Sequence, residues 1–273
     1  MDILEKIIAH KRTEVEERQS LYPTKLLEKS IYFHSDTVSL RKYIQREDLS
    51  GVIAEIKRQS PSKGQIHPKV NVERTSIGYM MAGASALSVL TDQSFFGGKN
   101  ADLETARKFN YCPILRKDFV IDEYQIVEAR SIGADAILLI AAALPLDRVQ
   151  ALAGFAKSLG LEVLLEIHNE AELTYLNPNV DLVGVNNRDL KTFTVDIETS
   201  INLADKIPND FVKVSESGIS LPATILRLKH YGFEGFLIGE HFMRHNRPER
   251  ACMKFIDELK RLQSMEEENP MLA

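Results

Sequence analysis

Gly51-Val52-Ile53-Ala54-Glu55-Ile56-Lys57 is a short apolar run that gathers charge only toward its end. A run of this length, bounded by polar turn residues, reads as a buried strand. Seven more follow: Ala86-Leu87-Ser88-Val89-Leu90, Pro113-Ile114-Leu115-Arg116, Ala136-Ile137-Leu138-Leu139-Ile140, Glu162-Val163-Leu164-Leu165-Glu166, Leu182-Val183-Gly184-Val185-Asn186, Phe211-Val212-Lys213-Val214-Ser215 and Gly235-Phe236-Leu237-Ile238-Gly239. Each is followed by a segment that scans as helix, for example Asp122 to Ser131 and Leu146 to Leu159. Near-continuous apolar strands alternating with helices imply a parallel sheet covered by helices, and eight such units close a barrel. The expected class is therefore α/β, a (β/α)8 TIM barrel. A doubly wound sheet would carry a Gly-rich turn after its first strand, but the turn here is Arg58-Gln59-Ser60-Pro61-Ser62-Lys63-Gly64.

Upstream of the repeat, residues 1–48 read as a helical extension, with helices from Ile3 to Arg18 and from Thr24 to Lys29, packed on a single barrel domain that takes in the whole of 1–273. The charged run Glu14-Val15-Glu16-Glu17-Arg18 reads as a solvated helix face. A formal net charge of -5 and interspersed acidic and basic residues exclude a nucleic-acid binder, which concentrates Lys and Arg in a stripe. Charges at Asp2, Glu5 and Lys6 break what would be the apolar core of a signal peptide, and no apolar run reaches membrane-spanning length. Cys112 and Cys252 stand far apart without a CxxC pattern, so a reducing cytoplasm is expected, with no membrane partner.

In a barrel of this kind chemistry gathers where the carboxyl ends of the strands face one set of loops. The polar strand ends are Glu55 and Lys57, Lys117, Glu166, Asn186 and Glu216. Alternation places Glu55 and Lys57 on one face, the barrel interior, where charge must be paired or used. Ser217-Gly218 and Gly239-Glu240 follow the last two strands, where such barrels hold phosphate on backbone N–H groups. The loop Ser60-Pro61-Ser62-Lys63-Gly64 has the makings of a lid. His241 and His245, four residues apart near the last helix, have no third ligand at metal spacing and read as surface or core groups, so no metal is expected.

In order along the chain, Glu55-Ile56-Lys57-Arg58-Gln59-Ser60-Pro61-Ser62-Lys63-Gly64, Ala86-Leu87-Ser88-Val89-Leu90-Thr91-Asp92, Leu115-Arg116-Lys117-Asp118-Phe119, Glu166-Ile167-His168, Asn186-Asn187-Arg188-Asp189-Leu190 and Ser215-Glu216-Ser217-Gly218-Ile219 resemble indole-3-glycerol-phosphate synthase. The resemblance runs from about residue 2 to 260. It implies a cofactor-free carboxy-lyase of tryptophan biosynthesis that turns 1-(2-carboxyphenylamino)-1-deoxyribulose 5-phosphate into indole-3-glycerol phosphate, carbon dioxide and water. Its partner is then a phosphorylated small molecule, and the chain is expected to be a monomer with at most weak self-association.

By that resemblance either Lys117 or Lys57 protonates the carbonyl for ring closure, while the other lysine or Glu166 serves dehydration. Glu55 pairs with Lys57, Asn186 and Glu216 bond the sugar hydroxyls, and Arg188 steadies the substrate carboxylate. Phe96, Pro61, Phe119 and Leu190 wall the benzene ring; Ser60, Ser217, Gly218, Gly239 and Glu240 surround the phosphate. One departure is Val70-Asn71-Val72 where many relatives read Phe-Asp-Pro, and Asn71 is expected to cap the helix there. A Schiff-base aldolase also needs a strand-end lysine beside a carboxylate, and borohydride trapping on Lys57 or Lys117 would reveal one. A non-catalytic sugar-phosphate sensor would have lost the acid and base groups that this chain retains.

Overall fold

Strand parity sorts the side chains of this chain into two cores. The computed structural model describes residues 2–268. In chain order the barrel strands are β1 (Val52–Ile56), β2 (Ala86–Leu90), β3 (Ile114–Lys117), β4 (Ala136–Ile140), β5 (Glu162–Ile167), β6 (Leu182–Asn186), β7 (Val212–Glu216) and β8 (Phe233–Ile238). Each pairs in parallel with its sequence neighbours, and β1 pairs with β8 to close the barrel. Odd positions of β1 turn inward and even ones outward: Ile53 joins the interior cluster with Leu115, Leu164 and Leu237, while Val52, Ala54 and Ile56 pack beneath the helices. The interior residues continue up each strand into Glu55, Lys117, Glu166, Asn186 and Glu216. The parity that buries the core thus aims these polar groups into the barrel mouth.

Three helices precede the barrel: α1 (Ile3–Leu21), α2 (Thr24–Leu27) and α3 (Leu40–Ile44). The third was not expected. Ser39 caps it by accepting from Lys42 N at 3.1 Å, and Leu40 and Ile44, one turn apart and buried, plug the interior cluster. A second difference lies after β5, where Glu170–Tyr175 forms a 3-10 helix in place of an α-helix. The segment is short, and Pro178 stands close behind it. As expected, Asn71 caps the helix Val72–Met81, accepting from Arg74 N at 2.8 Å. None of the described helices is long and apolar enough to cross a membrane.

The Glu14 to Arg18 run is not simply solvated. Helix α1 begins in a capping box between Asp2 and Glu5 and buries Ile7, Lys11 and Val15 along one stripe. Lys11 is 1% exposed, and its Nζ lies 2.9 Å from Asp92, 3.0 Å from Asp118 and 2.9 Å from Glu14. Arg18 reaches the buried Glu128, which also holds Arg116 at 2.5 Å, and Arg116 in turn contacts Asp118 at 3.2 Å. The extension is therefore stitched by buried charge to the ends of β2 and β3, directly behind Lys117. Burial opposes the charge on Asp118, but Lys11 and Arg116 outweigh it and hold the carboxyl down at about 2.

Candidate active site

The carboxyl ends of the strands open on one cavity of about 700 Å³. Every residue singled out from the sequence lines it: Glu55, Lys57, Lys117, Glu166, Asn186 and Glu216 at the floor, with Ser60, Pro61, Phe96, Phe119, Arg188, Leu190, Ser217, Gly218, Gly239 and Glu240 around and above them.

The floor is a chain of ion pairs. Lys57 Nζ lies 2.6 Å from Glu55 Oε1. Lys117 Nζ lies between two carboxylates, 2.5 Å from Glu216 Oε2 and 3.0 Å from Glu166 Oε2. The other oxygen of Glu166 accepts from Asn186 Nδ2 at 3.0 Å. Two inward glycines make room: a Cβ on Gly184 would fall 2.2 Å from Glu216 Oε1, and one on Gly239 would fall 2.3 Å from Glu55 Oε1. Gly184 was not anticipated, and Gly239 has this second task beside any contact with phosphate.

Three carboxylates face two lysines here, and burial decides how the charge is shared. Burial disfavours the ammonium of Lys117, but Glu216, Glu166 and Glu55 outweigh it and hold Lys117 above the ordinary lysine range. Burial likewise works against Glu166, but Lys117 and His168 keep it ionised, well below the usual carboxylate range. Glu216 goes the other way: burial and the charge of Glu166 push it up to about 7 against the pull of Lys117. The floor thus holds a certain ammonium, a certain carboxylate and a third group able to share a proton near neutrality.

Above the floor, Phe96 and Phe119 stand with ring centroids 5.9 Å apart and form an apolar wall. The Ser60 to Gly64 segment is a short hairpin, Gln59–Ser60 against Gly64–Gln65, tied down by Gln59 N donating to Phe96 O at 3.2 Å. Glu240 is more than a backbone donor. Its carboxylate lies 3.3 Å from Arg188 and 3.6 Å from Lys63, bridging the loops after β1, β6 and β8. Ser217 and Gly218 both take positive φ, 70° and 80°. Among the contributors that sequence reading missed, Ile3, Leu4 and Ile7 of α1 close one side, and Arg244 stands at the rim. His241, read as a surface or core group, also lines the cavity. The apolar i, i+1, i+4 pattern of Ile3, Leu4 and Ile7 was the available signal for the first three.

The family model for indole-3-glycerol phosphate synthase matches residues 4–255. The chain belongs to the indole-3-glycerol phosphate synthase family. Among indole-3-glycerol phosphate synthases, that of Bacteroides thetaiotaomicron is 49% identical over 93% of this chain and 98% of its own length. That of Magnetococcus marinus is 41% identical over 94% and 98%. A solved 3-hexulose-6-phosphate synthase from Salmonella typhimurium superposes with a TM-score of 0.60 at 13% identity, covering 77% of this chain and 98% of that one, a likeness of fold alone. As a member of this family the chain is a decarboxylating lyase of tryptophan biosynthesis. The cavity floor sets an ammonium and carboxylates within 3.0 Å of one another, the residue types that acid and base chemistry uses.

Proposed function

We propose how the residues divide the reaction from 1-(2-carboxyphenylamino)-1-deoxyribulose 5-phosphate to indole-3-glycerol phosphate, carbon dioxide and water. The reading rests on the seat of Lys117, 2.5 Å from Glu216 and 3.0 Å from Glu166. The ring carbon bearing the carboxylate bonds to the ketone carbon, and Lys117 gives a proton to the ketone oxygen. Carbon dioxide then leaves, and its bonding pair restores the ring. The nitrogen lone pair expels the new hydroxyl as water with a proton from Lys57. Glu166 takes the C–H proton next to nitrogen and completes the indole. Two protons are given and one is taken, so solvent supplies one per turnover. Apart from the carbon–carbon bond that forms and the one that breaks, each step is a proton transfer of the kind these side chains perform, so no cofactor is called for.

Single-turnover kinetics of Glu166→Gln test the division. Carbon dioxide release should stay fast while indole fluorescence develops about 10²-fold more slowly, because the amide keeps the shape and loses the base. If release and fluorescence slow together, Glu166 acts before dehydration.

The ring lies against Phe96, Phe119, Pro61 and Leu190, and Arg188 exchanges Glu240 for the substrate carboxylate. Asn186 and Glu216 meet the sugar hydroxyls. The phosphate sits at Ser60, Ser217, Gly218, Gly239 and Glu240, where backbone N–H groups after β7 and β8 converge. A Cβ on Gly218 would meet Val195 Cγ1 at 2.5 Å, and its φ of 80° strains any larger residue. Gly218→Val is expected to weaken the natural substrate on the order of tenfold, about 1.4 kcal/mol of lost anchoring, and to leave the dephosphorylated substrate much less affected. Equal losses for both substrates would place the phosphate elsewhere. We place the enzyme in a reducing cytoplasm as a monomer, with the phosphorylated substrate as its partner. The free, buried thiols of Cys112 and Cys252 support that compartment.

A further inference from the structure

His168 takes part in no step above and stands outside the cavity lining, yet it touches the carboxylate assigned to the last one. It lies two positions beyond Glu166, one residue past the end of β5, and its ring meets the Glu166 carboxylate. Its Nε2 is 3.3 Å from Glu166 Oε1, an ion-pair contact and not an aligned hydrogen bond. Its Nδ1 is 3.4 Å from Glu172 Oε2. Glu172 is anchored in turn, Oε2 accepting from His168 N at 2.7 Å and Oε1 from Asn169 Nδ2 at 2.7 Å. The imidazole side chain is 12% exposed and Glu172 14%, so the row of Glu172, His168 and Glu166 is shielded from most of the solvent.

We infer that His168, oriented by Glu172, is a positioning residue for Glu166, an inference that rests on the role of Glu166 in dehydration. Oε1 of Glu166 is shared between Asn186 and His168, which leaves Oε2 toward Lys117 and the cavity. With Asn186 alone on Oε1, the carboxylate is free to tip both oxygens onto Lys117 and so withdraw the base from the substrate. Burial works against a charged imidazole, but Glu166 and Glu172 outweigh it and lift His168 to about 10, so the positioning group is a cation at neutral pH. The charges acting on it are Glu166 of the preceding strand and Glu172 of the next turn. Lys117 of β3 and Glu216 of β7 are on the far side of Glu166, and the neighbouring turn Ala141–Ala143 brings no titratable side chain.

Kinetics of His168→Leu, His168→Gln and Glu172→Gln, each checked for folding by circular dichroism, test the inference. His168→Leu should lower kcat ~10-fold or more with KM within about twofold, and slow indole formation more than carbon dioxide release. Losing the neighbouring cation raises the Glu166 pKa, so the acid limb of the kcat profile should move to higher pH. His168→Gln keeps a donor near the Nε2 position without the charge. It should regain part of kcat and retain the shifted limb, and Glu172→Gln should move the limb the same way by less. Added to Glu166→Gln, His168→Leu should cost little more. An unmoved limb with unchanged kcat in folded His168→Leu, or a full second loss on top of Glu166→Gln, would overturn the positioning role. Neither result touches the role of Glu166, which fails only if Glu166→Gln itself keeps its rate of indole formation. Should His168→Leu not fold, the limb of Glu172→Gln decides.

Discussion

Lys117→Ala should lower turnover by ~10² to ~10⁴ while the barrel stays folded, the range expected for loss of a positioned general acid. Two carboxylates hold the ammonium in place and keep it charged at any ordinary assay pH, so its proton is always present when substrate arrives. Removing it has a second effect. Glu166 and Glu216 then face one another in a buried site without the cation that lay between them, and both carboxyl pKa values must rise. The base of dehydration is weakened together with the acid of ring closure. Carbon dioxide release in a single turnover should therefore fall as far as indole formation, unlike Glu166→Gln, where only the second falls. Near-normal turnover in a folded variant would remove Lys117 from the mechanism.

Lys11→Met is expected to cost about 3–5 kcal/mol of stability, the usual consequence of stripping one partner from a buried ion pair. The shape of the side chain is kept and the hydrophobic stem still packs, so the loss isolates charge. Asp92 and Asp118 would remain buried at 0% and 3% exposure, with Asp118 left to Arg116 and Thr91. The pH dependence carries the signature. In the native protein Asp118 is depressed from 3.8 to about 2, so its contribution is present above about pH 4 and is lost as the pH falls toward 2. In the variant burial acts on Asp118 with one cation fewer to oppose it, so the variant gains relative stability as acid neutralises that carboxyl. The gap between the two denaturation curves should be widest near neutrality and close toward pH 3. A gap that is small, or constant with pH, would mean that Lys11 acts through packing alone.

Much of this molecule was legible along the chain because two periodicities do most of the placing. Glu55 and Lys57 were readable as an inward pair because side chains alternate on a strand, and their 2.6 Å contact follows from that parity once Ile53 below them is committed to the core. The strand-end residues Lys117, Glu166, Asn186 and Glu216 were readable for the same reason, since closing eight parallel strands leaves one mouth for all of them. Helix α3 was harder to see because five residues carry barely more than one turn of pattern, and its cap at Ser39 was the only local mark.

What the sequence determined by itself was the barrel, the identity of the groups at its mouth and the family they belong to, because these rest on local alternation and on motifs that are contiguous in the chain. Tertiary structure alone decided which of those groups act on one another. Nothing near Lys117 in sequence announces that Glu166 and Glu216 grip it from strands two and four places further round the barrel, or that Glu216 is the carboxyl left to share a proton. Nor does anything local announce that Lys11, three residues before a run read as a solvated face, is sealed between Asp92 and Asp118, or that Glu172 stands behind His168 and Glu166. Charge pairing and desolvation act through space over a few ångströms, and those distances exist only after closure of the barrel brings the ends of distant strands together.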